Sequence, residues 1–356
     1  MRCGRRLRCL ALLAATLLGI GHAIADGPPG GEIAYVMTDL FWSVYQTEDA
    51  REECPRGFND GPREQFEQLF PRIDELGVEE TQLRQEMATW HPDTQPDGFD
   101  FKAVEGPLSL GMNLDGKNSA EDFRHPDGTE GSDNQVYRAG GCIIGFRGPD
   151  GVEYIFQNKA IIDERYNRMM IRLTDVDDLN EDSFVRVDFF RGRDRLLTDA
   201  TGEAVVPGGT QRVDDRWGRR LIRRTTGRIN NGVLVTEPIA EAVVPWMNLN
   251  VPSIHVFRDF RFRLTLSPTR AEGQVGGYAD VDTWYHQLIR NDSTHHLSNG
   301  QISAISLYRA LRKFADAYPD LQGINRAIST ALDIRMTQVH VLDERGALNP
   351  QSASLD

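Results

Sequence analysis

Residues 257–266 set the tightest constraint on the fold. Phe260, Phe262, Leu264 and Leu266 alternate with Arg261, Arg263 and Thr265. Successive side chains of a strand point to opposite faces, so this period of two marks a strand with one dry and one wet face. Residues 33–45, 169–176, 185–191, 221–229 and 233–236 are likewise rich in β-branched and aromatic residues and read as strands. Between two of them sits Asn230-Asn231-Gly232, a hairpin signal because Asn and Gly tolerate positive φ. Pro207-Gly208-Gly209 and residues 248–252 supply further turns. Short strands separated by such turns predict a β-rich α+β fold, with an antiparallel β-sandwich or jelly-roll-like core and several peripheral helices.

The helices are fewer. Leu307, Ala310, Leu311, Phe314, Ala315 and Tyr318 follow helical spacing, with Ser303 or Ser306 able to cap the start and Pro319 closing the end. Residues 62–70 and 79–90 carry shorter helical patterns punctuated by Pro71 and Pro92. Residues 324–332 read as a short helix leading into a last strand at 334–342.

The first 25 residues read as a leader. Arg2, Arg5, Arg6 and Arg8 precede an apolar run from Leu10 to Ile20, and Ala23-Ile24-Ala25 offers the small-x-small cleavage site. The run is too short to span a bilayer, and no later stretch is apolar for long enough. The expectation is a periplasmic or secreted protein released near Ala25. Residues 26–105 then form a strand-plus-helix segment, 106–342 the β-rich main domain and 343–356 a disordered tail.

Without the four leader arginines the chain carries 36 basic against 53 acidic residues, a net charge of −17. Such a surface repels phosphate backbones, which argues against nucleic acid as a partner. Only Cys54 and Cys142 remain after cleavage, and an even count in an oxidising compartment predicts a disulfide.

Three stretches carry candidate chemistry. Asn113, Asp115, Asp122, Asp127, Glu130, Asp133 and Asn134, interspersed with Gly116, Gly128 and Gly131, offer the hard oxygens that calcium takes in groups of six to eight. Their spacing is not that of an EF-hand, and Asp-Gly pairs are also what tight turns require. The segment 276–300 gathers His286, His295 and His296 with Asp282 and Asp292. A histidine beside a carboxylate can act as an acid–base pair, and two histidines with a carboxylate can hold a zinc-type ion. Residues 212–228 supply Arg216, Arg219, Arg220, Arg223 and Arg224 beside Trp217. Such a cluster suits an anionic ligand or partner, or pairs with the chain's own acidic loops.

No Cys-x-x-Cys-His, Walker A loop or dinucleotide-binding glycine fingerprint is present, so the sequence argues against covalent haem and nucleotide. The G-x-S-x-G and H-E-x-x-H motifs are absent too. The reading that follows is an exported β-rich binding or structural module, its calcium site structural, its ligand an unidentified protein or glycan. The alternatives are a hydrolase built on the His/Asp cluster at 282–296, and a subunit of an exported assembly.

Overall fold

The computed structural model describes residues 27–59, 77–95, 100–147, 158–162, 168–248, 251–289 and 303–348. The leader, the helix read at 62–70, and Asp292, His295 and His296 lie outside the described residues.

The core is a closed antiparallel barrel of eight strands. Around the barrel run β1 (Glu32–Trp42), β4 (Met169–Thr174), β5 (Asp182–Arg191), β7 (Arg223–Asn230), β8 (Val233–Thr236), β10 (Val251–Leu266), β11 (Arg270–Asp280) and β13 (Asn325–Leu342). The ring closes where β13 pairs with β1, from Ala34 opposite Val339 to Trp42 opposite Leu332. This overturns the expected sandwich or jelly roll. Period-two alternation and tight turns serve a sandwich and a barrel equally; the decision lies in whether the first and last strands meet, and no local pattern encodes that.

Additional strands lie outside the ring. β9 (Ile239–Asn248) extends β10 as a hairpin, β6 (Gly209–Arg212) runs parallel to the end of β13, and β12 (Ala317–Pro319) pairs with its start. A two-stranded ribbon, β2 (Phe123–Arg124) with β3 (Glu130–Ser132), sits in the central loop. The hairpin signal holds: β7 and β8 are joined through Asn231 and Gly232, both at positive φ.

The sequence expectation fails in two places. The late helix, expected to run through Ala315 and Tyr318 to Pro319, stops at Phe314, because Ala317–Pro319 pair with β13 as β12. The short helix expected over 324–332 does not form. Residues 325–332 are strand rather than helix; Ile328, Leu332 and Ile334 turn into the barrel while Ala327, Ser329 and Ala331 face outward. Helical spacing at Ile324, Ala327 and Ile328 gives way here because both edges of this stretch find strand partners. The glycine-bearing stretch 270–280 is also a strand. Gly276 faces outward, where a Cβ would come within 2.6 Å of the Met112 side chain, so glycine lets the central loop lie flat on the barrel.

The interior is filled. Phe189, Phe257, Phe260 and Phe262 stack with ring centroids 5.1–5.4 Å apart. Tyr35, Ile171, Leu173, Val187 and Met336 pack around them. Opposite the large rings β11 presents Ala271, Val275 and Ala279, small residues that fit the taper of a narrow barrel. The wet faces carry Arg261, Arg263, Glu272 and Arg335, the reverse of a barrel that faces lipid. Among the described residues no helix is long and apolar enough to cross a membrane.

Helices pack outside the barrel, among them α1 (Val78–Trp90), α2 (Gln135–Gly140), α3 (Val281–Leu288) and α4 (Ala304–Phe314). Ser303 caps α4, its hydroxyl accepting from Ser306 N at 3.2 Å. Of residues 343–356, the described part folds back through a turn that buries Leu348 against Met170, Phe190 and Val213.

Candidate functional site

A β-bulge sets up the site. Pairing of β1 with β13 steps from Met37 opposite Met336 to Asp39 opposite Arg335, leaving Thr38 extra. Before the bulge Ile33, Tyr35 and Met37 point inward; after it Leu40 does. That change of phase turns Phe41 outward, onto the barrel wall.

Two rows of outward side chains then cross four strands. One runs Thr265, Glu272, Arg335, Asp39 and the next Arg263, Gln274, Asp333, Phe41. Part of this surface floors an open cleft of about 690 Å³, walled by Trp42, Val44, Tyr45 and Leu110. Asp333 is fixed there: its Oδ1 accepts from Ser43 Oγ at 2.7 Å and from Gln274 Nε2 at 3.0 Å. The Arg335 guanidinium turns toward β1, 5.7 Å from the Phe41 ring centroid, a cation–π contact. The Glu272 side chain, on the β11 side, is exposed and makes no hydrogen bond or ion pair among the described residues.

The walls are held from behind by Asn134. Its Nδ2 donates to Ser43 O and Leu110 O, both at 2.9 Å, and to Ser109 Oγ at 3.2 Å. Its Oδ1 accepts from Tyr137 N at 3.3 Å and Ala331 N at 3.4 Å. Tyr137 in turn donates its hydroxyl to Tyr45 O at 2.8 Å. A disulfide between Cys54 and Cys142 anchors the end of the same segment to the turn after α2. Beside it the fully buried Glu53 accepts from Thr47 Oγ1 at 2.7 Å and pairs with Arg147 at 2.5 Å. Burial alone would raise the Glu53 carboxyl, but hydrogen bonds from Thr47 and Arg147 outweigh it and hold the group below its usual range.

The oxygens read as a calcium set serve mainly the loop's own turns. Asn113 accepts from Gly116 N at 2.6 Å, Asp115 from Lys117 N at 2.8 Å, and Asp122 from Ser119 N at 2.6 Å. Asp127 accepts from Thr129 N at 2.9 Å and sits 2.9 Å from the His125 ring. Glu130 is exposed on β3, and Asn134 is the hub just described. Asp133 is buried and accepts from Leu114 N at 2.6 Å; burial pushes its carboxyl up to about 7, with Asp122, Asp115 and Asp316 adding repulsion. Asp316, accepting from Ser329 N at 2.8 Å, is pushed up to about 6, again chiefly by burial. Among the described residues no three His, Cys, Asp or Glu side chains converge as a metal site would require.

Within the His/Asp cluster, His286 Nδ1 contacts the backbone oxygen of Asp282 at 2.7 Å rather than its carboxylate. That carboxylate instead accepts from Tyr308 OH at 3.0 Å and faces Arg326 at 3.4 Å. Of the arginine set, Arg216 pairs with Asp214 and Arg224 with Asp188, each at 2.8 Å. Arg223 donates to Glu241 O at 2.6 Å, and Arg219 and Arg220 belong to the short 3-10 turn before β7.

The cleft residues escaped the sequence reading because they lie between positions 41 and 335 of the chain. The only signal was the i, i+2 spacing of polar residues, Glu272 with Gln274 and Asp333 with Arg335, which any wet strand face shows. No protein-family model, no curated protein and no solved structure matches this chain.

Proposed function

We propose that this protein is an exported binding module whose ligand seat is the cleft on the outer wall of the barrel. One observation carries the reading: Glu272 and Arg335 stand in an accessible, aromatic-walled cleft with no ion pair to each other or to any described neighbour. Charged groups on a folded surface ordinarily find partners or face open water; here they are set among Phe41, Trp42 and Tyr45. The volume falls in the range of small-molecule sites, about 300–1,000 Å³, which combine apolar walls with a few placed polar groups. The packed interior favours the outer wall over the barrel lumen as the place for a ligand. The leader read in the sequence and the disulfide both fit an oxidising compartment outside the cytoplasm.

The test is thermal unfolding of residues 26–356 against a panel of oligosaccharides, organic amines, amino acids and small peptides. A ligand at a hundredfold excess over its Kd stabilises by about 2.7 kcal/mol, and its shift should vanish in the Glu272→Ala, Arg335→Ala double variant. A panel without a hit, or a hit that survives unchanged in the variant, refutes the cleft as the seat.

A further inference from the structure

The cleft keeps charges of opposite sign apart. Arg335 stands directly opposite Glu272 on β11 and opposite Asp39 on β1, positions at which cross-strand ion pairs normally form. Instead its guanidinium lies over Phe41, while Asp39 takes the Thr38 hydroxyl at 2.9 Å. Glu272 remains at the far side of the floor. In the next row, two residues from Arg335 along β13, lies Asp333, whose Oδ1 is fixed by Ser43 and Gln274. Its Oδ2 accepts no hydrogen bond among the described residues.

The floor thus presents one forked donor, two carboxylates and an aromatic wall. A purely anionic ligand would meet Glu272 and Asp333, and a purely cationic one would meet Arg335. A neutral ring would leave all three ions unanswered.

We propose that the ligand is a zwitterion, a free amino acid or dipeptide with an apolar side chain; this rests on the cleft being the ligand seat. Its carboxylate takes the planar fork of Arg335, a geometry that guanidinium matches with two parallel hydrogen bonds. Its ammonium sits between Glu272 and Asp333. Its side chain packs on Trp42 and Tyr45.

The experiment is isothermal titration of the mature chain with Gly-Phe, its C-terminal amide, its N-acetyl form, and cellobiose as an uncharged probe. Gly-Phe should bind, with the amide and the N-acetyl form each at least tenfold weaker. Arg335→Gln should erase the difference between acid and amide, and Glu272→Gln should reduce that between free and acetylated amine. The inference is overturned if either capped dipeptide binds as tightly as the parent. Cellobiose binding that the Trp42→Phe variant weakens, with none by Gly-Phe, overturns it while leaving the cleft as the seat. Silence from all four probes removes the support for both.

Discussion

Two charged regions share the outside of the barrel, and they are built in opposite ways. On one side, Arg191 and Arg216 close on Asp214, and Arg172 and Arg224 close on Asp188. Asp214 is fully buried there; burial would raise its carboxyl, but Arg216 and Arg191 pull it below its usual range. On the other side, Glu272 and Arg335 face a cleft and leave each other alone. The comparison separates charge used as an internal fastening from charge held available. A chain with so many acidic residues could have neutralised Arg335 at its neighbours, and did neutralise Arg172, Arg191, Arg216 and Arg224 on the other wall.

The sharpest way to break the contrast is Asp214→Ala. It strands Arg191, whose side chain is 3% exposed, and loss of one partner of a buried pair costs about 3–5 kcal/mol; urea unfolding measures it. A loss below about 1 kcal/mol would mean the two walls are alike. Next comes the disulfide. The Cys54→Ser, Cys142→Ser double variant should lose about 2–5 kcal/mol, and hydrogen exchange should show the loosening at residues 43–47 before it reaches the arginine wall.

A third expectation concerns pH. The unfolded Asp133 carboxyl titrates near 4, and the folded one is raised to about 7. The folded state therefore binds more protons between those values, so this group makes stability fall as pH rises from about 4 to 7. Asp133→Asn keeps an acceptor for Leu114 N and should flatten that slope; an unchanged slope in pH-dependent urea midpoints would show that Asp133 is not the group responsible. The smallest effect should belong to the cleft: Glu272→Ala and Arg335→Ala should each change the urea midpoint by less than about 0.5 kcal/mol. A larger loss would turn these charges into fastenings after all.

The sequence showed the staves better than the barrel. The alternation at 257–266, the Asn231-Gly232 hairpin and the Ser303-capped helix were legible because each is decided within a few residues. Strand β11 was hidden, since glycines that suit close packing on a wall also suit a loop. The direction of residues 325–332 was decided by partners on both sides rather than by their own spacing. The candidate site was hidden for a sharper reason. Whether Phe41 faces in or out depends on one extra residue, Thr38, and nothing in the local pattern announces a bulge. Asn134 stood out in the sequence as an oxygen-bearing residue, but its role is to join two wall segments, a role that exists only once the loop is folded.

The pairing of β1 with β13 also has a consequence in time. During synthesis one edge of β1 waits for a partner until the chain has grown by roughly 280 further residues, on the order of 15–60 s at common elongation rates. Through that interval the growing sheet carries an open edge of the kind that recruits other strands. The cleft floor lies across that same seam, with Phe41 on the first stave and Asp333 and Arg335 on the last. A bound ligand would therefore act as a clasp, recognising only molecules whose two ends have met and slowing their reopening.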